Sequence, residues 1–96
     1  MSVYLIAEMK WKDTQWLPGY LEVVPQLVKK HGGSYVVQTG EIERLEGTRE
    51  SPDGIVILEF PDREAALGFM HDPDYEAPKA ARLKGTHSET ILVPVK

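Results

Sequence analysis

The run Ile55-Val56-Ile57-Leu58, followed by Glu59 and Phe60, is the chain's densest apolar stretch, with Gly54 before it and Pro61 behind it. A strand exposed on one face alternates polar and apolar side chains, so an unbroken run predicts a strand covered on both faces. Val3-Tyr4-Leu5-Ile6-Ala7-Glu8-Met9 has the same character and predicts a second one. Lys10 to Asp13 reads as a polar connection carrying Trp11, and Asp13 or Thr14 as the N-cap of a helix. In that helix Leu17, Tyr20, Leu21, Val24, Leu27, Val28 and His31 recur at three- and four-residue steps, forming one apolar stripe. Pro18 fits a first turn. Pro25 removes the bond to Leu21 and predicts a kink. Gly32-Gly33 supplies the left-handed stop.

Ser34 to Gln38 predicts another strand, prolonged beyond Gly40 by Glu41 to Glu46. Gly47 to Gly54 holds no large apolar side chain and reads as an exposed loop. Asp62 is placed to cap a helix over Arg63 to Met70. Asp72-Pro73 restarts helix to about Leu83, and Gly85 ends it. Thr90 to Val95 is the last strand, and Pro94, which cannot donate to a ladder, assigns it to a sheet edge.

The order is β-α-β-β-α-β. Short connections and right-handed crossovers make this an α+β, ferredoxin-like sandwich with an antiparallel sheet ordered 4-1-3-2 and both helices on one face. The two most apolar strands then fall in the centre, and the strand with Pro94 falls at an edge. Two helices cover only one face of such a sheet. The other face would be bare and apolar, so a homodimer packed sheet against sheet is expected.

The chain's 96 residues suit a single domain. Its 11 basic and 15 acidic residues give a net charge of −4, which speaks against a nucleic-acid surface. There is no cysteine, and with it no disulfide, thiolate nucleophile or Cys-ligated metal. No stretch approaches the ~20 apolar residues of a membrane span. No secretory leader precedes Glu8, so the expected location is cytoplasmic.

Candidate chemistry collects at the two ends of the sheet. Glu59, at the end of its strand, and His31, at the end of the first helix, belong to one end; a carboxylate beside an imidazole can orient and activate it as a general base. The bland alternative sets His31 against the helix C-terminal dipole and Glu59 at the next helix. At the other end lie Glu8, Trp11, Trp16 and Arg82, with Tyr75 seven residues before Arg82 on the same helix face. Arg82 presents a donor fork suited to a carboxylate or phosphate, or it forms a structural ion pair. Tyr75, Trp16 and Tyr20 are the candidate binding side chains beside it, with interface anchoring as the tryptophans' other use. His31, His71 and His87 form no ligand-spaced pair, so neither metal nor cofactor is expected.

Several motifs resemble a known family: Tyr-Leu-Ile-Ala at 4–7, Lys-His-Gly-Gly at 30–33, Gly-Glu at 40–41, Leu-Glu-Gly at 45–47, Glu-Phe-Pro at 59–61, Glu-Ala-Ala-Leu at 64–67, Asp-Pro-Asp-Tyr at 72–75, and Arg82. Together they make residues 4–95 similar to the domain of unknown function 1330, though Met70-His71 stands where that family often has an aromatic residue. The resemblance implies a subunit of the dimeric α+β barrel superfamily, whose members include cofactor-free monooxygenases, lactone isomerases and haem-binding proteins. Two uses of the chain follow. One is a cofactor-free small-molecule enzyme or binder, monooxygenase- or isomerase-like, with a cleft site. The other is a non-catalytic dimerising or ligand-sensing module.

Overall fold

The computed structural model describes residues 1–95. Strands β1 (Val3–Trp11), β2 (Ser34–Thr39), β3 (Gly54–Phe60) and β4 (Thr86–Pro94) form one antiparallel sheet in the order β2-β3-β1-β4. Helices α1 (Leu17–Lys30), α2 (Arg63–Met70) and α3 (Glu76–Gly85) complete the ferredoxin-like α+β fold, with a 3-10 turn at Pro73–Tyr75 between the last two. The chain measures 35 × 35 × 16 Å, the thickness of a single sheet and one layer of helices. None of the helices is long and apolar enough to cross a membrane.

β1 continues through Lys10 to Trp11, where the pattern predicts a connection. Lys10 and Trp11 pair with His87 and Thr86 of β4, and the Trp11 N–H donates to Asp53 Oδ2 at 2.9 Å. Cross-strand partners, not local polarity, decide where this strand ends. α1 starts without a side-chain cap: Trp16 holds the N-cap position, while Asp13 Oδ1 accepts from the Gln15 N–H at 3.2 Å. The helix stays continuous through Pro25, buries Val24, Leu27 and Val28, and stops at Gly32, whose φ of 78° only glycine adopts cheaply. Gly33 then crosses the Phe60 ring so closely that a Cβ would stand 2.6 Å from it.

Residues 41–46 form no strand. β2 has already run out its pairing with β3 at Thr39–Ile55, and the alternating acids of Glu41 to Glu46 find no further edge. The loop beyond is tied to β1: Lys10 Nζ donates to Glu50 Oε1 at 2.6 Å and the Asp53 N–H to Met9 O at 2.8 Å. Asp62 caps α2 as expected, accepting from the Ala65 N–H at 2.8 Å. Asp72 caps the 3-10 turn, and α3 runs on to Gly85, directly abutting β4.

Alternation along each strand sorts the sheet into two faces. Val3, Leu5, Met9, Leu58 and Phe60 point to the helices and form the core with Val24, Leu27, Val28, Ala66, Phe69 and Tyr75. The opposite face carries no helix. Ile6 lies there between Ile57 and Ile91, and Tyr4 between Glu59 and Val93. Ile91 is 55% exposed.

Candidate functional site

Side-chain size along the sheet determines where the helix layer leaves room. The cross-strand row Leu58–Leu5–Leu92 is bulky and packs against the helices. The next row toward the Trp11 end is Val56–Ala7–Thr90, and the one beyond is Gly54–Met9–Ser88. Their small members, Ala7, Val56, Thr90 and Gly54, leave a cavity of about 310 Å³ between the N-terminal half of α1, α3 and the sheet. That is the lower end of the range for ligand pockets.

An aromatic series lines it. Trp11 and Trp16 have ring centroids 6.0 Å apart, Trp16 and Tyr20 meet edge-on at 5.2 Å, and Tyr20 and Tyr75 at 6.1 Å. Tyr75 stacks on Phe69 at 4.4 Å, and Phe69 on Phe60 at 5.5 Å, so the lining is continuous with the core. Trp16 is held from two sides. Its Nε1–H donates to Asp13 O at 2.9 Å, and its ring lies on Gly85, where a Cβ would overlap it. Gly85 O in turn accepts from the N–H groups of Lys12 and Asp13 at 2.9 and 3.2 Å.

The polar groups converge at one place. The hydroxyls of Tyr20 and Tyr75 are 2.7 Å apart. Burial, then the neighbouring Tyr75 phenol, pushes the Tyr20 hydroxyl above the ordinary phenol range, against the pull of Arg82. Tyr20 therefore stays a neutral donor. One of the two phenolic protons is used in their mutual bond, and the other is free for an acceptor in the cavity. Tyr35, on the same face through its pairing with Leu58, also titrates high because it is buried and next because of Tyr75. Arg82 is 5% exposed and lines the same space. Its Nη1–H donates to Ser88 Oγ at 2.8 Å, and Thr86 Oγ1–H donates to its backbone carbonyl at 2.7 Å.

The structure thus brings Arg82, Tyr75, Trp16 and Tyr20 to one cavity. It does not bring His31 and Glu59 together. Glu59 lies between the inward-facing Leu58 and Phe60 and points to the open sheet face, whereas His31 sits in the helix layer against Gly68 and Phe69. His31 Nε2 instead meets Asp72 Oδ2 at 2.7 Å. Neither His31 nor Glu59 lines the cavity. Sequence reasoning read Asp72 only as a cap, and it missed Tyr35 and Ser88. Strand alternation marks Tyr35 as inward once β2 is in register with β3; nothing local marks Ser88. Among the described residues no group of three His, Asp or Glu side chains is placed to hold a metal.

Asp72 is a buried junction between α1 and the α2–α3 connection. It accepts from His31, from the Asp74 N–H at 2.9 Å and from Lys30 Nζ at 3.0 Å. The bond from His31, then those from Asp74 and Lys30, hold its carboxyl well below the usual carboxylate range, despite burial. A carboxyl depressed in the folded state contributes stability that is complete above its unfolded value, near pH 4, and is lost as pH falls through the folded value. Asp72→Asn is therefore expected to lower unfolding free energy at pH 7, and the gap to the parent is expected to narrow steadily from about pH 5 to pH 2. Urea titrations at pH 7, 4 and 2.5 check this. A gap that does not change with pH would contradict it.

The fold is similar to several solved structures. A protein of unknown function from Rhodopseudomonas palustris is 19% identical, with a TM-score of 0.81 over 99% of this chain and 83% of that one. SnoaB, a cofactor-independent oxygenase from Streptomyces nogalater, is 14% identical, with a TM-score of 0.71 over 99% and 93%. A dimeric ferredoxin-like protein of unknown function from Jannaschia sp. CCS1 is 9% identical, with a TM-score of 0.67 over 99% and 100%. No curated protein matches the sequence. The sequence pattern of one family, described as Domain of unknown function (DUF1330), matches residues 2–95, and the chain belongs to that family.

Proposed function

We propose that this protein is a homodimer, closed through the open sheet face, that binds a small organic molecule in the cavity beneath α1. The observation that carries the binding role is the convergence of Tyr20, Tyr75 and Arg82 in a cavity walled mainly by aromatic and aliphatic side chains. A well-formed apolar pocket with a few convergent polar groups is the usual form of a small-molecule site. A packed interior would have had large side chains in the Val56–Ala7–Thr90 row. A protein of similar fold is described as a cofactor-independent oxygenase. In this reading His31 and Asp72 fasten the helix layer, and the cavity residues carry recognition.

The dimer rests on the bare face bearing Tyr4, Ile6, Ile55, Ile57, Ile91 and Val93. A second copy covers it by two-fold symmetry, and two proteins of similar fold are described as dimeric. Sheet against sheet, the two subunits form the barrel and leave both helix-side cavities independent.

Ala7 provides the test of the binding role. It lies on the cavity floor, flanked by Val56 and Thr90, so Ala7→Phe fills the space from a rigid strand. Thermal shift against a set of one- and two-ring compounds is expected to give hits with the parent that weaken at least about tenfold in Ala7→Phe, with the dimer intact. Hits of equal strength in both proteins would place binding elsewhere and overturn the reading.

A further inference from the structure

Arg82 is a cation without an anion. It is 95% removed from solvent, and among the described residues no carboxylate lies within 4.0 Å of its guanidinium. Buried charges are ordinarily paired, because desolvating an ion without a counter-charge is costly. The carbonyl end of α3 offsets part of this charge. Ser88 Oγ takes one N–H, and the hydroxyl is a neutral acceptor. Among the described residues no other hydrogen bond from the fork is present, and Arg82 lines the cavity.

The other groups there do not supply the missing charge. Among the described residues Asp53 is the only carboxylate on the lining, and it accepts from the Trp11 N–H and lies 3.5 Å from Lys10 Nζ. Tyr20 is held as a neutral phenol and is no tyrosinate partner. Besides the neutral hydroxyl and amide groups of Tyr35, Gln38, Thr39 and Thr90, the cavity offers one positive charge, a phenolic proton of the Tyr20–Tyr75 pair and a set of aromatic faces.

We propose that the ligand is a small aromatic monocarboxylate, its carboxylate held by the Arg82 fork and a Tyr20 or Tyr75 hydroxyl, its ring among Trp16, Tyr20 and Phe69. This rests on the cavity being a binding site, as proposed above. A planar carboxylate matches a guanidinium with two parallel bonds. A phosphate dianion would bring a second negative charge into a space where the described residues place no second cation. A neutral ligand would leave Arg82 as unpaired as it is now. Aromatic edges and faces on the walls favour a flat ring over a branched aliphatic chain.

The test is isothermal titration of the dimer with two acid–amide pairs of nearly equal shape, benzoate with benzamide and 1-naphthoate with 1-naphthamide. In the parent at least one acid is expected to bind about tenfold or more tightly than its amide. In Arg82→Gln that preference is expected to shrink to within about twofold. Arg82→Lys, which keeps the charge without the fork, is expected to fall between. The parent alone decides the question if Arg82→Gln does not fold. Amides that bind as well as acids in the parent would overturn the anion and leave the cavity site standing. Four compounds that all fail to bind the parent would overturn both.

Discussion

Replacing Phe60 by alanine is expected to lower the unfolding free energy by ~3–5 kcal/mol, and with it the melting temperature by roughly 15–30 °C. Phe60 is fully buried at the end of β3. Its ring stacks on Phe69, which stacks on Tyr75, and Gly33 leans against its opposite side. Removing it leaves a void bounded by backbone on one side and by a stacked aromatic on the other, neither of which collapses easily. The same change tests the link between core and site, because Phe69 and Tyr75 lose their backing. Calorimetry at a fixed protein concentration measures the effect. A loss under ~1 kcal/mol would show that the aromatic series is not a stability element.

The second large effect concerns assembly. Ile6 lies between Ile57 and Ile91 in the middle of the uncovered face. Ile6→Glu is expected to raise the dimer dissociation constant by at least about a thousandfold. In the proposed dimer each added carboxylate is buried against the other sheet, and desolvating it costs several kcal/mol. Analytical ultracentrifugation over a range of concentrations is expected to show the parent as a dimer at micromolar concentration and the variant as a monomer. A parent that sediments as a folded monomer would contradict the proposed assembly, as would a variant that stays dimeric.

How much of this was legible beforehand depended on whether the determinant was local. The strand order could be read because β1 and β3 are apolar on both faces and Pro94 marks an edge; each is a property of a few adjacent residues. Asp62 announced its cap because its partner is three residues away. The end of β1 could not be read, since Lys10 and Trp11 are extended only by pairing with Thr86 and His87. The same limit misplaced the histidine's partner. Asp72 and Glu59 both lie far from His31 in sequence. Topology alone favoured Glu59, and strand alternation then turned its side chain to the opposite face of the sheet. Arg82, Tyr75, Trp16 and Tyr20 were gathered correctly at one end because helix spacing and strand direction suffice for that. A cleft was expected, but not the feature that opens it. It comes from cross-strand rows whose small members, Ala7, Val56, Thr90 and Gly54, look unremarkable one at a time.

The central claim is that this cavity, and not the uncovered sheet face, receives the ligand. A two-dimensional proton–nitrogen NMR titration of the protein with 1-naphthoate and with 1-naphthamide tests it most directly. The Trp16 indole N–H and the backbone amides of Ala7, Tyr20 and Thr90 lie at the cavity, whereas Ile6, Ile57 and Ile91 lie on the opposite face. The account predicts saturable shifts confined to the first group and absent in Ala7→Phe. Saturable shifts centred on Ile6, Ile57 and Ile91, with the cavity signals unmoved, would contradict it.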